Sequence, residues 1–143
     1  GENFTTEGLL ETEVCLGDIF EVGSALVEVS QPRQPCWKLA RRWRRKDLAL
    51  LVQESGRTGW YFRVIREGTV QVGSRLILVT RPCPEWTVAS ANDVMHRRTD
   101  DSQAAQSLAV CPALAVRWRE TLNKRVETKT VGSTTARLYG PNL

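Results

Sequence analysis

Close pairs of metal-binding residues are absent from this 143-residue chain. It contains one histidine, His96, and its four cysteines form no C-x-x-C pair. A structural zinc site or an iron–sulfur cluster is therefore not expected, because both usually take ligands in close pairs that one turn presents together. Each cysteine has to be judged singly, as a small buried residue or as a reactive thiol, and burial is the commoner state. The four are Cys15, Cys36, Cys83 and Cys111.

Long apolar runs are missing as well. No run approaches eighteen residues, so no transmembrane helix is expected. The first ten residues, GENFTTEGLL, lack the basic flank and the apolar stretch of a signal peptide. These absences predict a cytoplasmic protein without disulfides. The chain also starts without methionine, in what looks like the middle of a segment, and we expect it to be a piece of a longer protein.

The composition is that of an ordinary globular chain. Hydrophobic residues make up 41% of it, enough for one domain or for one domain with a small appendage. The formal net charge of +4 would suit an anionic ligand or a nucleic acid and does not decide between them. No G-x-G-x-x-G motif is present, so a nicotinamide or flavin bound through that motif is not expected.

The first half of the chain predicts strands and turns. Two short apolar runs, 18–22 and 25–30, are joined around Gly23-Ser24, which is a hairpin signal. The segment 70–82 repeats the pattern of a tight turn, a strand and a proline, and we expect both strands in one β structure. Between them, 37–54 favours one or two helices, broken near Lys46-Asp47 with Asp47 as a cap. The run WYFRVI fits a strand or a short helix.

The second half predicts helices. Three segments after Thr87 carry apolar residues at helical spacing, with Thr87, Asp100 or Asp101, and Cys111-Pro112 as expected starts. The last contains one apolar stripe, and Pro82 to Glu85 is the natural boundary before these helices. The residues after 127 look like a polar, turn-rich tail draped on the surface. The stripe consists of Leu114, Trp118, Leu122 and Val126.

Cys36 has more arguments for reactivity than the other cysteines. Pro32 and Pro35 restrict the backbone before it, so it lies on a stiff loop between a strand and a helix. A helix N-terminus at Trp37, with Arg33 and Lys38 nearby in sequence, would favour thiolate over thiol, and could equally hold a phosphate. The alternative is a small buried residue that fills the corner, and both interpretations stay open. A partnership with His96 is not supported by spacing, and we expect His96 on a helix surface.

The cluster RRWRRK, residues 41–46, allows two interpretations. Trp43 could stack on bases while the arginines neutralise phosphates. Alternatively, Leu39, Ala40 and Trp43 face inward on a helix and the arginines form a solvated face. No nucleic-acid-binding motif occurs elsewhere, so the second interpretation is favoured and nucleic acid is not the expected partner.

Five separated motifs, in order and spread over the chain, resemble the MOSC domain family, in its YiiM-like branch of hydroxylaminopurine resistance proteins. The resemblance implies a mainly β fold with α: a MOSC-type β-barrel over 1–83, a small three-helix domain over 84–127 and a tail over 128–143. Family members carry strands and an HGG-type motif before the GEN motif, and we expect that N-terminal portion to be missing here. The motifs are GENFTTEGL, LGDIFEVG, VSQPRQPC, GWYFRVIREGTVQVGSRLIL and RLYG.

The resemblance also implies a molybdenum cofactor, with the thiolate of Cys36 as the catalytic group and the protein's ligand to molybdenum. Arg33 and Asn3 would line the cofactor pocket, and Trp60 and Tyr61 would approach its mouth. Pyridoxal phosphate is a second cofactor sometimes inferred for the wider family.

The implied activity is reduction of small N-hydroxylated compounds, such as hydroxylaminopurines or amidoximes, by oxygen-atom transfer at molybdenum. Because the chain has no electron-carrying motif of its own, a separate flavoprotein-type donor would dock at residues 41–46 or at the three helices. Two alternatives remain. One is a carrier that holds the molybdenum cofactor or sulfur without turnover, and the other is a basic module that binds nucleic acid.

Overall fold

A computed structural model describes residues 2–140 of the chain. Gly1, which opens the GEN motif, and residues 141–143, which end the expected tail, lie outside the described residues. A sheet-forming half precedes a helical half, which confirms the expected fold class in a mixed α/β form. Within residues 2–140, no helix is both long and apolar enough to cross a membrane. The elements of this range are β1 (Ile19–Val22), β2 (Ala25–Pro32), α1 (Trp37–Trp43), α2 (Leu48–Ser55), β3 (Trp60–Arg66), β4 (Leu76–Thr80), α3 (Val88–His96), α4 (Ser102–Ala109), α5 (Val116–Thr128) and α6 (Thr135–Tyr139).

The strands form one antiparallel sheet in the order β3-β2-β1-β4. The predicted hairpin is confirmed, because β1 pairs with β2 across Gly23-Ser24. Gly23 has φ 60°, and a Cβ there would lie 2.1 Å from the carbonyl oxygen of Thr69. Only glycine fits this turn. The second strand of the repeated pattern is β4, which lies on the other side of β1, so both strands do belong to one sheet.

β3 and β4 are the edge strands of the described sheet. The run WYFRVI is strand β3, which decides between the two structures that its sequence allowed. Both edges keep apolar side chains about half-exposed, among them Val64, Ile65, Ile77 and Val79. Within residues 2–140 the sheet is therefore open, and a closed barrel would require these two edges to be bridged.

Two of the expected helix starts are confirmed. The Thr87 hydroxyl accepts a hydrogen bond from the Ser90 amide at 3.0 Å and begins α3, and Asp101 does the same for the Ala104 amide at 2.8 Å before α4. Such caps satisfy amide groups that the first helical turn leaves without partners.

Two other helix starts differ from the prediction. The break between α1 and α2 occurs where expected, but the Asp47 side chain binds Arg45 at 3.0 Å and caps no amide. α5 begins at Val116, later than Cys111-Pro112, because residues 111–114 form a turn closed by the bond from the Leu114 amide to the Cys111 carbonyl.

One apolar core joins the sheet to the helices. Val27 and Phe20 from the sheet share it with Leu108 and with the stripe on α5, of which Trp118 and Leu122 are almost fully buried. The halves are also tied by backbone hydrogen bonds, such as those from the Val88 amide to Val14 and from the Ala115 amide to Ser30. The helical half is thus anchored on the sheet.

Candidate functional site

Cys36 lies where the sequence predicted, between β2 and α1. Pro32 ends β2, and Cys36 has extended backbone angles (φ −137°, ψ 167°) at the N-cap position of α1. Its side chain makes no capping hydrogen bond and is half-buried. Pro35 beside it is buried, so the loop is pinned while the sulfur stays reachable. Because α1 has only seven residues, its dipole contributes modestly to the charge on the sulfur.

The other three cysteines are buried thiols. Cys15, Cys83 and Cys111 are each at most 4% exposed. Burial raises the pKa of Cys83 to about 12, with a further contribution from its 3.4 Å contact to the sulfur of Cys111. Burial also raises the pKa of Cys15. Cys36 is therefore the one cysteine of the four that a solute can reach.

Arg137, from the closing RLYG motif, reaches the Cys36 loop. Its Nη1 donates to the Pro35 carbonyl at 2.5 Å, and its Nη2 donates to Oε1 of Gln53 at 2.5 Å. Burial lowers the pKa of the Arg137 guanidinium, while the Cys36 sulfur acts in the opposite direction. A cation thus lies beside the sulfur and fixes the carbonyl of the preceding residue.

The position of Arg137 depends on α6, which the sequence did not predict. Residues 128–143 were expected as a draped tail, yet α6 begins at Thr135 and packs against α1 and α2. Gly140 lies against the Trp37 ring, where an added Cβ would come within 3.6 Å. The available signal was the RLYG motif itself, which carried part of the family resemblance but received no role.

Two further predicted site residues lie at the same end of the sheet as Cys36. The Arg33 amide donates to the Gly59 carbonyl at 3.0 Å, and Pro32 pairs with Trp60 across β2 and β3. Trp60 is half-buried, and its ring meets Phe62 edge-on at 6.3 Å. The structure therefore brings Arg33 and Trp60 next to the Cys36 loop, although it records no side-chain hydrogen bond between them within residues 2–140.

The remaining two predicted residues are not brought to the loop. Tyr61 follows Trp60 in β3, so its side chain leaves the opposite face of the sheet, and it is 48% exposed. Asn3 is exposed, beside Phe4, whose ring packs on Phe62 at 6.1 Å. Among the described residues, no hydrogen bond joins the Asn3 side chain to Cys36 or Arg33.

The basic cluster 41–46 is fully exposed, which confirms a solvated face for its arginines. The expectation that Trp43 faces inward is wrong, because its side chain is 68% exposed. α1 ends at Trp43, directly before Arg44, which has a left-handed backbone (φ 52°). None of the residues of α1 is buried. Arg41 places its guanidinium 5.4 Å from the centre of the Trp37 ring, which covers one face of that tryptophan.

His96 was expected on a helix surface, and the structure corrects this. Its Nε2 is buried, and its ring meets Trp118 edge-on at 6.2 Å. Burial, and then the charges of Arg137 and Arg125, lower the pKa of His96 to about 4. His96 is therefore neutral at physiological pH.

The donor set around Cys36 excludes a metal held by the described residues alone. Within residues 2–140, no group of three or more His, Cys, Asp or Glu side chains could hold a metal ion. A single accessible thiolate can instead complete the coordination of a soft metal that brings its other ligands with it.

Comparison with known proteins finds a family match for each half of the chain. The model of the MOSC domain matches residues 1–77, and the model of the YiiM-like, 3-alpha helix domain matches residues 86–129. Similar proteins include the uncharacterized protein YflK of Bacillus subtilis, 42% identical over 87% of this chain and 57% of YflK. Another is protein YiiM of Escherichia coli, 38% identical over 98% of this chain and 62% of YiiM.

Two further similarities concern activity and fold. A protein named reductase from Gibberella moniliformis is 37% identical over 68% of this chain and 18% of its own length. The crystal structure of YiiM from Escherichia coli superposes with a TM-score of 0.93 at 37% identity, covering 98% of this chain and 69% of that one. The chain spans about 60% of the length of the bacterial curated relatives it matches. It belongs to the MOSC domain family and carries a YiiM-like 3-alpha helix domain after its MOSC part.

Proposed function

We propose that this chain carries the cofactor-contacting thiol of a MOSC reductase that acts on small N-hydroxylated compounds, such as hydroxylaminopurines or amidoximes. The observation that carries the proposal is Cys36, the one reachable cysteine, on a loop that two buried prolines and Arg137 hold in place. Membership of the MOSC family and the similarity to a fungal reductase support it.

The residues present fit a molybdenum cofactor. Cys36 offers one soft donor without a hydrogen-bond partner for its sulfur among the described residues, as a ligand position requires. Arg33 lies in this loop and Arg137 binds its Pro35 carbonyl, so two guanidiniums close to the loop would favour an anionic cofactor. When bound, the molybdenum cofactor supplies the redox step that removes oxygen from an N–O bond.

The chain's own contribution is positioning and electrostatics. Arg137 holds the Pro35 carbonyl and keeps a positive charge beside the Cys36 sulfur, where an anionic cofactor would bind. Trp60 pairs with Pro32 at the end of β2 and therefore lies next to the loop on the side of the sheet. His96 stays neutral and takes no part in charging the thiol.

Electrons would come from a separate acidic flavoprotein. The exposed cluster 41–46 lies at the C-terminal end of α1, whose N-terminus bears Cys36, and its charge complements such a partner. Trp43, exposed at the centre of that cluster, would supply an aromatic contact at the interface.

The first experiment measures molybdenum by elemental analysis, in protein made in a host that synthesises the cofactor. We expect near-stoichiometric metal in the wild type, loss of the metal in Cys36→Ser, and retention in Cys15→Ser, the matched control at a buried cysteine. The same measurement is then made on a longer form of the protein, of the length of its bacterial relatives. It distinguishes a site that does not bind the cofactor from a site that is incomplete because the chain is short. Absence of molybdenum from both forms would refute the proposal.

Turnover distinguishes the reductase from a carrier that holds the cofactor or sulfur on Cys36. The carrier is favoured by one observation, a reachable thiol with no acid or base bonded to it among residues 2–140. A metal-loaded protein that consumes no N-hydroxylated adenine with a reconstituted electron donor would be a carrier. A protein that converts it to adenine would be the reductase.

The exposed Trp43 keeps the nucleic-acid interpretation open as a third candidate. Binding of a fluorescent single-stranded oligonucleotide that falls steeply with salt, survives Cys36→Ser and disappears in Trp43→Ala would favour it. We expect no such binding, because no nucleic-acid-binding motif accompanies the cluster, and Arg45 is already paired with Asp47, the residue that follows the cluster.

A further inference from the structure

Cys83 and Cys111 form a pair of facing thiols that neither the proposed function nor its alternatives use. The Cys111 thiol donates to the Cys83 sulfur at 3.4 Å, although the two residues are 28 positions apart in the sequence. Cys83 lies in the segment between β4 and α3, and Cys111 lies in the turn between α4 and α5. The pair therefore joins the end of the sheet-forming half to the middle of the helical half.

The backbone brings the two cysteines together. The carbonyls of Cys83 and Cys111 each accept a hydrogen bond from the amide three residues later, at 3.1 Å and 3.2 Å, so both residues lie in closed turns. The two turns meet over Gly17, where an added Cβ would lie 2.8 Å from Pro82 and 2.9 Å from Ala113. A disulfide bond is about 2.0 Å long, so the sulfurs need to approach each other by about 1.4 Å. Rotation of the two side chains, with small shifts of the turns, is enough for this.

The pair lies just below the surface of the protein. Cys83 and Cys111 each keep 4% exposure, and the residues directly before and after each of them are exposed. One of these neighbours, Val110, is 75% exposed. Exposed turns open locally at a small cost in free energy, and such an opening admits a molecule not much larger than water, whereas a bulky reagent needs the protein to unfold.

The reactivity of the pair comes from proximity. Burial, and then the hydrogen bond from Cys111, raise the pKa of Cys83 to about 12. Because the thiolate is the attacking form, the first step at this pair should be slower than the reaction of the reachable Cys36. Once one sulfur of the pair is oxidised, the other is already beside it, and the second step proceeds within the molecule.

We propose that Cys83 and Cys111 are a redox modification site, a dithiol that hydrogen peroxide converts to a disulfide. One sulfur attacks the O–O bond and becomes a sulfenic acid, and the displaced hydroxide leaves with the thiol proton as water. The second sulfur then attacks the first and releases another water. The pair loses two electrons and two protons, and peroxide is reduced to two molecules of water.

The disulfide would lock the helical half onto the sheet. It closes a covalent loop around α3 and α4, and it ties the segment after β4 to the turn before α5. Both cysteines are free thiols in the structure, so the bond would form and break with the redox state. This site goes beyond the proposed reductase function and does not depend on it.

Mass spectrometry of the full chain after treatment with hydrogen peroxide tests this proposal. The variant Cys36→Ser is used, because it lacks the reachable thiol that would react first. We expect the loss of two hydrogen atoms, a disulfide between the tryptic peptides 76–97 and 99–117, and one remaining thiol, that of Cys15. A thiol reductant should restore the original mass. Three free thiols after treatment, a bond from Cys15, or oxidation to sulfinic acid without a disulfide overturns the proposal.

Thermal unfolding tests the lock itself. Oxidation of Cys36→Ser should raise its Tm by about 5–10 °C, because the new bond restricts the unfolded chain. The matched control carries Cys111→Ala in addition and should show no increase, since Cys83 has lost its partner. Cys83→Ala replaces this control if Cys111→Ala fails to fold. An equal Tm for the oxidised and reduced protein, or the same increase in the control, would refute the lock.

Discussion

Acid should destabilise this protein in part through His96. Its pKa falls from the ordinary 6.5 to about 4 in the folded protein, mainly through burial, and also through the facing charges of Arg137 and Arg125. The unfolded chain therefore binds a proton at a higher pH than the folded one. Stability rises with pH between about 4 and 6.5 and does not change further above 6.5 on account of this residue.

The size of this effect follows from the two pKa values. Each unit of difference corresponds to 1.36 kcal/mol, so the difference between 6.5 and about 4 corresponds to roughly 3 kcal/mol at full extent. For a domain of this length, a loss of this size is a large fraction of the total free energy of unfolding, which is of order 5–15 kcal/mol. Most of it should appear between pH 6 and pH 4.5.

Urea unfolding at several pH values measures this effect, with His96→Gln as the control. Carboxylates titrate over part of the same range in both proteins, so the difference between them isolates the single histidine. We expect the wild type to lose roughly 2 kcal/mol more than His96→Gln between pH 7 and pH 4.5. Parallel curves for the two proteins would mean that His96 is solvated and would refute the burial described above.

Three further predictions concern the Cys36 loop and the core. Arg137→Met should slow the alkylation of Cys36 by iodoacetamide about fivefold, because the variant removes the positive charge beside the attacking sulfur, an interaction of about 1 kcal/mol. Arg137→Lys should keep most of the rate, and peptide mass spectrometry measures both. In the native protein, Ellman's reagent should react rapidly with Cys36 alone, and with the other three cysteines only after unfolding. Asp18→Ala should lower the free energy of unfolding in urea by about 3 kcal/mol, because the carboxylate is fully buried and accepts hydrogen bonds from Arg81 at 2.7 Å and 2.9 Å. Trp43→Ala, at an exposed position, should change the free energy of unfolding by less than about 0.5 kcal/mol.

Local patterns predicted most of the elements of the fold. A glycine turn between apolar runs gave the β1–β2 hairpin, and Thr87 and Asp101 gave two helix starts, because each depends on residues close in sequence. The stiff loop with Cys36 between a strand and a helix was equally readable from Pro32 and Pro35. Such features need no knowledge of what packs against them.

The errors come from residues whose surroundings are distant in sequence. Trp43 was expected inside because a helix that starts at Trp37 would place it on one face with Leu39 and Ala40, but α1 ends at Trp43 and that side chain is exposed. His96 was expected on a helix surface, but the ring of Trp118, which comes 22 residues later on α5, packs against it. Arg137 was given no role because its partner, Pro35, lies 102 residues earlier. Periodicity and capping contain no information about such contacts.

Arg137 also ties α6 to α2 and to the Cys36 loop. One nitrogen of its guanidinium donates to the Pro35 carbonyl in the loop, and another donates to Oε1 of Gln53 on α2. The planar guanidinium makes both bonds at once, so Gln53 helps to hold Arg137 against the Pro35 carbonyl. Replacing Gln53 by leucine should remove one of the two bonds and lower the free energy of unfolding in urea by about 1 kcal/mol. An unchanged free energy of unfolding would show that Gln53 does not hold Arg137.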